Sequence, residues 1–227
     1  HEAMSSKRIP NTDGDLAMAI ALQKQEDEGF HDSALKFNSE PLKRKIVIVG
    51  DGACGKTCLL SVFSRGKFPA GDYIPTIFDN SVKDMTVNAK PVVAELWDTA
   101  GQEDFDRLRT LSYPDSDVIL IAFSVDIPES LDNVAVKWVP EVKHYCPGLP
   151  FILVGCKTDL RQDQRTIEDL EKQATSPITT QQGMEVARKV GAYKYVECSA
   201  KMEKGVSEVF TTAIKSTIRK SSFCTIM

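Results

Sequence analysis

The chain has no overall excess of basic charge. Its 28 lysines and arginines stand against 32 acids, a net charge of −4 over 227 residues, so the electrostatic footprint of a nucleic-acid binder is missing. No apolar run approaches the ~20 residues that cross a bilayer as a helix, and no signal peptide opens the chain. The first residue is His1 rather than Met, as expected of a chain whose N-terminus is missing or altered. Six cysteines (Cys54, Cys58, Cys146, Cys156, Cys198 and Cys224) include no C-x-x-C pair. They read as reduced thiols of a cytosolic protein rather than as a metal or disulfide framework. What remains is a length sufficient for a sizeable core, one ordinary domain or one domain and a tail. Charge is unevenly spread. Residues 1–41 hold eight acids against four bases and so carry the whole net charge, while 42–227 sum to zero.

One stretch organises the rest. Gly50-Asp51-Gly52-Ala53-Cys54-Gly55-Lys56-Thr57 fits G-x-x-x-x-G-K-[ST], the P-loop. An apolar run, Lys45 to Val49, precedes it as a buried strand would, and Thr57 to Phe63 can open a helix. The glycines allow positive φ and close approach of the backbone to phosphate oxygens. Successive N–H groups before a helix N-terminus make an anion-binding concavity. Lys56 is placed to reach the β- and γ-phosphates, and the Thr57 hydroxyl to bind Mg²⁺.

From Leu42 onward strands and helices alternate. Strands are expected at about 45–50, 79–87, 91–98, 117–125, 150–156 and 193–198, and helices at about 56–65, 104–112, 129–145, 179–190 and 204–219. Only Asn88, Ala89 and Lys90 separate the second and third strands, which predicts an antiparallel hairpin. The other crossovers predict parallel strands. The fold class is therefore α/β, a P-loop NTPase with a six-stranded, mostly parallel sheet flanked by helices and one antiparallel strand at an edge. The loop Leu160–Pro177 is unusually long and charged, and Ile167, Leu170 and Ala174 in it are spaced as on one helix face. Residues 1–41 are polar and irregular. Asp15 to Lys24 favours helix, with a cap at Thr12 or Asp13, but is too short to stand alone.

A constellation surrounds the P-loop. Asp98, at the end of the third strand, is placed to hold Mg²⁺ through water. In Trp97-Asp98-Thr99-Ala100-Gly101-Gln102, the Gly101 N–H can meet a γ-phosphate and Gln102 can orient a water. Thr76, in Tyr73-Ile74-Pro75-Thr76-Ile77-Phe78, can add a second hydroxyl to Mg²⁺ and order its loop only when a γ-phosphate is present. Gly155-Cys156-Lys157-Thr158-Asp159 offers a carboxylate to guanine N1–H and the 2-amino group, a donor pair that adenine lacks. The backbone of Cys198-Ser199-Ala200-Lys201 can donate to guanine O6.

With these residues in place, 42–227 resembles a Rho-family small GTPase of the Ras superfamily, on Gly50–Leu60, Tyr73–Asn80, Trp97–Arg109 and the insertion near 161–175. An acidic N-terminal extension of this kind resembles some fungal Rho proteins. The resemblance implies three parts: an extension over 1–41, a GTPase domain over 42–220 and a tail over 221–227. It implies a GDP/GTP switch with GTP as substrate, GDP as product and Mg²⁺ as cofactor. The nucleotide lies on Gly50 to Cys58, Phe68 packs against the base, and Lys157, Asp159, Ser199, Ala200 and Lys201 form the guanine pocket. Tyr73 to Asp79 form switch I, and Gly101 to about Leu111 switch II. Thr57, Thr76 and Asp98 serve the metal; Gln102, Lys56 and Thr76 serve catalysis. Trp97 is the residue exchange factors read, and the insert helix contacts regulators or effectors. A guanine nucleotide exchange factor, a GTPase-activating protein, a Rho-GDI-type extractor and effectors are the implied partners, in control of polarity, actin or septation.

Cys156 departs from the pattern, since the superfamily has Asn or Thr before Lys-x-Asp. A thiol is a poor hydrogen-bond partner, so faster GDP release is expected than with Asn. No arginine lies in Gly71–Thr76, which implies slow intrinsic hydrolysis and a finger supplied in trans. The last four residues, Cys224-Thr225-Ile226-Met227, fit C-a-a-X and favour farnesyl. One lipid chain and three bases in Lys215–Lys220 predict reversible attachment to the cytoplasmic face of the plasma or another membrane, with a cytosolic pool. Two rivals stay open: a non-cycling, GTP-bound scaffold of the same fold, against which Gln102, Thr76 and Gly52 argue, and an ATPase or kinase, against which Asp159 and Ser199–Lys201 argue.

Overall fold

Alternation inside the strands decides which way the sheet faces. In β1 (Leu42–Gly50), Ile46 and Ile48 enter one apolar cluster, and Val47 and Val49 the other. β4 (Val118–Ser124) does the same, sending Leu120 and Ala122 to the first cluster and Ile119, Ile121 and Phe123 to the second. A strand apolar on both faces must be covered on both faces. The computed structural model, which describes residues 40–69 and 78–221, shows that arrangement. Helices α1 (Lys56–Arg65) and α7 (Val206–Ser221) close one face through Leu59, Val209, Phe210 and Ile214. Helices α3 (Pro128–Asn133), α4 (Val139–Tyr145) and α6 (Thr180–Val190) close the other through Leu131, Val142 and Ala187. Each fully buried aliphatic or aromatic side chain contributes about 1.5–3 kcal/mol.

With β2 (Phe78–Val87), β3 (Lys90–Thr99), β5 (Phe151–Cys156) and β6 (Lys194–Glu197), the sheet runs β2-β3-β1-β4-β5-β6. Every pairing is parallel except β2 with β3. The six strands and the antiparallel edge are those expected from sequence. The hairpin is tighter than expected. Lys90 already pairs with Val87, and only Asn88 and Ala89 turn the chain, both at positive φ (52° and 59°), as a two-residue hairpin twisted to match its strands requires. Because β1, β3, β4, β5 and β6 are parallel, their carboxyl ends share one edge, where a ligand is expected beside the central β1.

One helical expectation is refined and two need correction. The expected helix 129–145 is α3, a π-helical stretch Val134–Trp138 and α4. The expected helix 104–112 is a 3₁₀ turn, Glu103–Phe105, followed by the short α2 (Asp106–Thr110). In the long insertion α5 covers Gln164–Glu171, capped by Asp163 accepting from the Thr166 N–H at 3.0 Å. Leu170 is buried and Ile167 half-buried, but Ala174 lies past the helix at φ 54° and is exposed, so it is not on that face. Residues 1–39, the segment with Tyr73 and Thr76, and the tail with Cys224 lie outside the described residues. Among the described residues no helix is long and apolar enough to cross a membrane.

Candidate functional site

The turn after β1 has the backbone that its glycines predict. Gly50 has φ 142°, Ala53 58° and Gly55 101°, so three residues within six lie in the left-handed half of conformational space. At Gly50 the fit is tight as well: a Cβ there would sit 2.1 Å from the Ala122 carbonyl oxygen. Lys56 is buried, and its Nζ donates to the Gly50 and Asp51 carbonyls, each at 2.8 Å. The third donor of the ammonium points to Cys54 Sγ at 3.9 Å, a weak acceptor that a phosphate oxygen would outcompete. Gly52, Ala53, Gly55, Lys56, Thr57, Cys58, Gly101, Gln102 and Lys157 line a cavity of about 270 Å³. An adjoining cavity of about 120 Å³ is lined by Phe68, Cys156, Asp159, Cys198, Ala200 and Lys201, and shares Gly55, Cys58 and Lys157 with the first. Of the sequence-predicted residues, these line two adjoining cavities that share three wall residues, whereas Asp98 lines a separate neighbouring pocket with Thr57.

Two P-loop side chains turn away from the cavity. Cys54 is fully buried, its Sγ 3.6 Å from the Ala122 carbonyl oxygen, and burial pushes its thiol up to about 11. The Asp51 carboxylate accepts from Trp138 Nε1 and Asn133 Nδ2, both at 2.7 Å. These two anchors were missed by sequence reasoning. They lie 82 and 87 residues away along the chain, and nothing in their local pattern separates them from ordinary helix positions.

Gly101 closes the opposite wall. A Cβ on it would lie 2.4 Å from the Gly50 oxygen and 2.5 Å from the Gly52 nitrogen, so only glycine fits this approach. Beside it Asp98 is buried, and its Oδ1 has no hydrogen-bond partner among the described residues. Burial pushes its carboxyl up to about 6, against a hydrogen bond from the Thr57 side chain and the charge of Lys56. An orphaned carboxylate oxygen beside a threonine hydroxyl is a hard-oxygen donor set, the kind Mg²⁺ takes. The residues present fit that ion.

At the second compartment Lys157 adopts φ 58° and pairs with Asp126 at 3.3 Å, a partner that sequence reasoning also missed. Ser199 Oγ donates to Asp159 Oδ1 at 2.5 Å and accepts from the Met202 N–H at 3.1 Å. The Ser199–Lys204 turn closes on itself through two backbone bonds, of 2.9 and 3.0 Å. The Thr158 N–H donates to the Cys198 carbonyl at 3.2 Å, tying this turn to the one that carries Asp159. Asp159 is thus held at the cavity wall with acceptor capacity to spare.

The segment 101–111 is anchored from below. The Arg109 guanidinium is buried; it reaches Glu141 through Nε and Nη2 at 2.8 and 2.9 Å, Asp106 at 2.7 Å and the Ala100 carbonyl at 3.1 Å. Tyr113 donates to the same Glu141 at 2.5 Å. Burial alone would lower the Arg109 pKa, but Glu141 and Asp106 outweigh it and raise it. Trp97 lies under Lys45, whose Nζ is 3.6 Å from its ring. Leu108 and Leu111 of this segment are exposed.

The Ras family profile matches residues 45–219. Among curated relatives, the GTP-binding protein rho5 of Schizosaccharomyces pombe is 62% identical, over 79% of this chain and 89% of its own. The GTP-binding protein RHO1 of Candida albicans is 61% identical, over 78% and 89%. RHO1 of Saccharomyces cerevisiae is 58% identical, over 80% and 86%.

Proposed function

The chain belongs to the Rho family of Ras-type small GTPases, which bind GTP and GDP with Mg²⁺ and hydrolyse GTP, and from that premise we propose how its own residues run the switch. The larger compartment takes the phosphates. Lys56 and the backbone N–H groups of the P-loop stabilise the charge that develops on them. Thr57 and Asp98, with Thr76, would hold Mg²⁺, which would supply positive charge against the phosphates. Gln102 orients the attacking water for in-line displacement. The smaller compartment takes guanine, against Phe68 and Lys157, with Asp159 accepting from the base and the Ser199–Lys201 backbone donating to it. The observation that carries this reading is the joining of the two cavities, with Asp159 fixed by Ser199 at the wall of the second.

Regulators and effectors act on Rho-family GTPases in general. For this chain the proposal is finer. An exchange factor reads Trp97, and effectors read switch I and the exposed Leu108 and Leu111. A GTPase-activating protein supplies the arginine missing from Gly71–Thr76, for a gain of about 10³–10⁵ in rate. A prenyl group on Cys224 holds the protein reversibly at the cytoplasmic face of a membrane, with a Rho-GDI-type extractor maintaining a cytosolic pool. The process controlled is polarity, actin organisation or septation.

Single-turnover hydrolysis of bound GTP tests the central assignment. Gln102→Leu should bind GDP normally yet lose the response to an arginine-supplying activator by at least about 100-fold. Normal stimulated hydrolysis by this variant overturns the role given to Gln102.

A further inference from the structure

Two thiols at the strand ends have no part in the scheme above. Cys156 ends β5, and Cys198 follows β6. Gly155 is paired in parallel with Glu197, so the two cysteines occupy the next position of the same register. Adjacent strands lie ~4.8 Å apart, inside the Cα range that a disulfide spans. Both side chains point to the same apolar cluster, with Sγ atoms 3.9 Å apart. Both also line the smaller cavity, and a third thiol, Cys58, faces that cavity. Cys156 additionally packs on the P-loop: a Cβ on Gly55 would lie 3.6 Å from the Cys156 Cβ.

We propose that Cys156 and Cys198 form an oxidisable dithiol in the guanine compartment, a modification site for small peroxides that bound nucleotide shields. The reaction balances. A peroxide O–O bond breaks as one thiol becomes a sulfenic acid and water leaves. The second sulfur displaces a second water, forming the S–S bond. Two thiols are oxidised by two electrons, one peroxide is reduced, and both thiol protons end in water. Closing the bond draws the sulfurs from 3.9 Å to about 2.05 Å. That pull acts on the two chain segments leading into Lys157–Asp159 and Ser199–Lys201, and on the Cys156 contact with Gly55. The hydrogen bond from the Cys198 thiol, together with burial, holds the Cys156 thiol well above its usual range, so it is slow to react until the cavity opens to water. The shielding part of this inference rests on the guanine reading of the cavity.

The test treats the full-length protein with hydrogen peroxide in two states, loaded with GDP·Mg²⁺ and emptied by EDTA with exchange into nucleotide-free buffer. Bound GDP is quantified on the same samples first. Intact mass and non-reducing peptide mapping follow the product. The expected result is a loss of 2 Da and a Cys156–Cys198 cross-linked peptide, forming at least tenfold faster in the emptied protein. The cross-link should be absent in both Cys198→Ser and Cys198→Ala, and GDP release from the oxidised protein should be at least threefold faster than from the reduced. Disulfides mapped only to other pairs overturn the proposal. Cross-linking at equal rates with one equivalent of GDP bound overturns the shielding. Failure to load any GDP overturns the guanine reading instead and leaves the mapped cross-link to decide the dithiol.

Discussion

At Cys156 the contact between the guanine loop and the P-loop is apolar. The side chain is buried beside Gly55, and its sulfur accepts from the Cys198 thiol, 3.9 Å away. A carboxamide there would add a hydrogen bond to P-loop backbone where a thiol offers almost none, a gain of about 1 kcal/mol. Cys156→Asn should therefore slow GDP release about fivefold, measured by displacement of a fluorescent GDP analogue; equal rates would show that this contact does not set nucleotide residence. Single residues were legible in the sequence where the backbone decides their place. Asp98 is the last but one residue of β3, and Gly101 and Asp159 follow β3 and β5 by two and three residues, so the strand ends fix where they stand. Asp51 was not legible, because its carboxylate answers to Trp138 and Asn133, whose approach depends on how a distant helix packs. Arg109 was not legible either. An arginine in a charged switch reads as a surface residue until Glu141 and the Ala100 carbonyl are brought to it.

Among the elements, the strands were read well because parallel β-strands covered on both faces give continuous apolar runs. The helix expected over 129–145 runs unbroken over 128–145, but its π-helical turn was not foreseen. Its periodicity holds throughout, and the π-helical turn at Val134–Trp138 adds one residue without breaking the apolar face. That turn delivers Trp138 to Asp51, in keeping with the tendency of π-bulges to occur at functional sites. Helix α6 has an internal glycine with a specific reason. A Cβ on Gly183 would lie 2.4 Å from the Tyr195 hydroxyl oxygen. That hydroxyl donates to Glu197 at 2.6 Å, and its ring stacks on Phe123 at 6.1 Å. Helix propensity favours alanine over glycine by about 1 kcal/mol, but overpacking costs about 1–3 kcal/mol and the tyrosine is not free to yield. Gly183→Ala should destabilise by about 1–2 kcal/mol in urea unfolding; a stabilised variant would mean that Tyr195 moves aside at little cost.

For the whole molecule, the insertion is tied to the sheet through one ionic cluster. Arg161 meets Glu197 through two nitrogens, at 2.8 and 2.6 Å, and its Nε donates to the Ile178 carbonyl at 2.7 Å. Burial alone would raise the Glu197 pKa, but Arg161 and Tyr195 outweigh it and hold it below its ordinary 4.5. A depressed carboxyl contributes stability above the unfolded-state pKa and loses it as pH falls through the folded-state value. The stability gap between the parent protein and Glu197→Gln should therefore be full at pH 7 and shrink below about pH 4.5, as read from urea midpoints across pH. A gap constant down to pH 3 would show that the pair is not ionic in the folded state. At this scale the parallel strands and the antiparallel edge strand were legible because crossover connections leave few alternatives; the order β2-β3-β1-β4-β5-β6 comes from the structure. The division into an extension at 1–41, a domain at 42–220 and a tail at 221–227 is a proposal drawn from the family resemblance.

The central claim is a cycling guanine-nucleotide switch whose own residues complete hydrolysis. The measurement that tests it most directly is the identity of the nucleotide released by denaturing the purified full-length protein, resolved by anion-exchange chromatography. One equivalent of GDP is the predicted result, since a working Gln102 and Lys56 leave product in the site. One equivalent of GTP would contradict the account, for it would mean a protein that holds its nucleotide without turning it over.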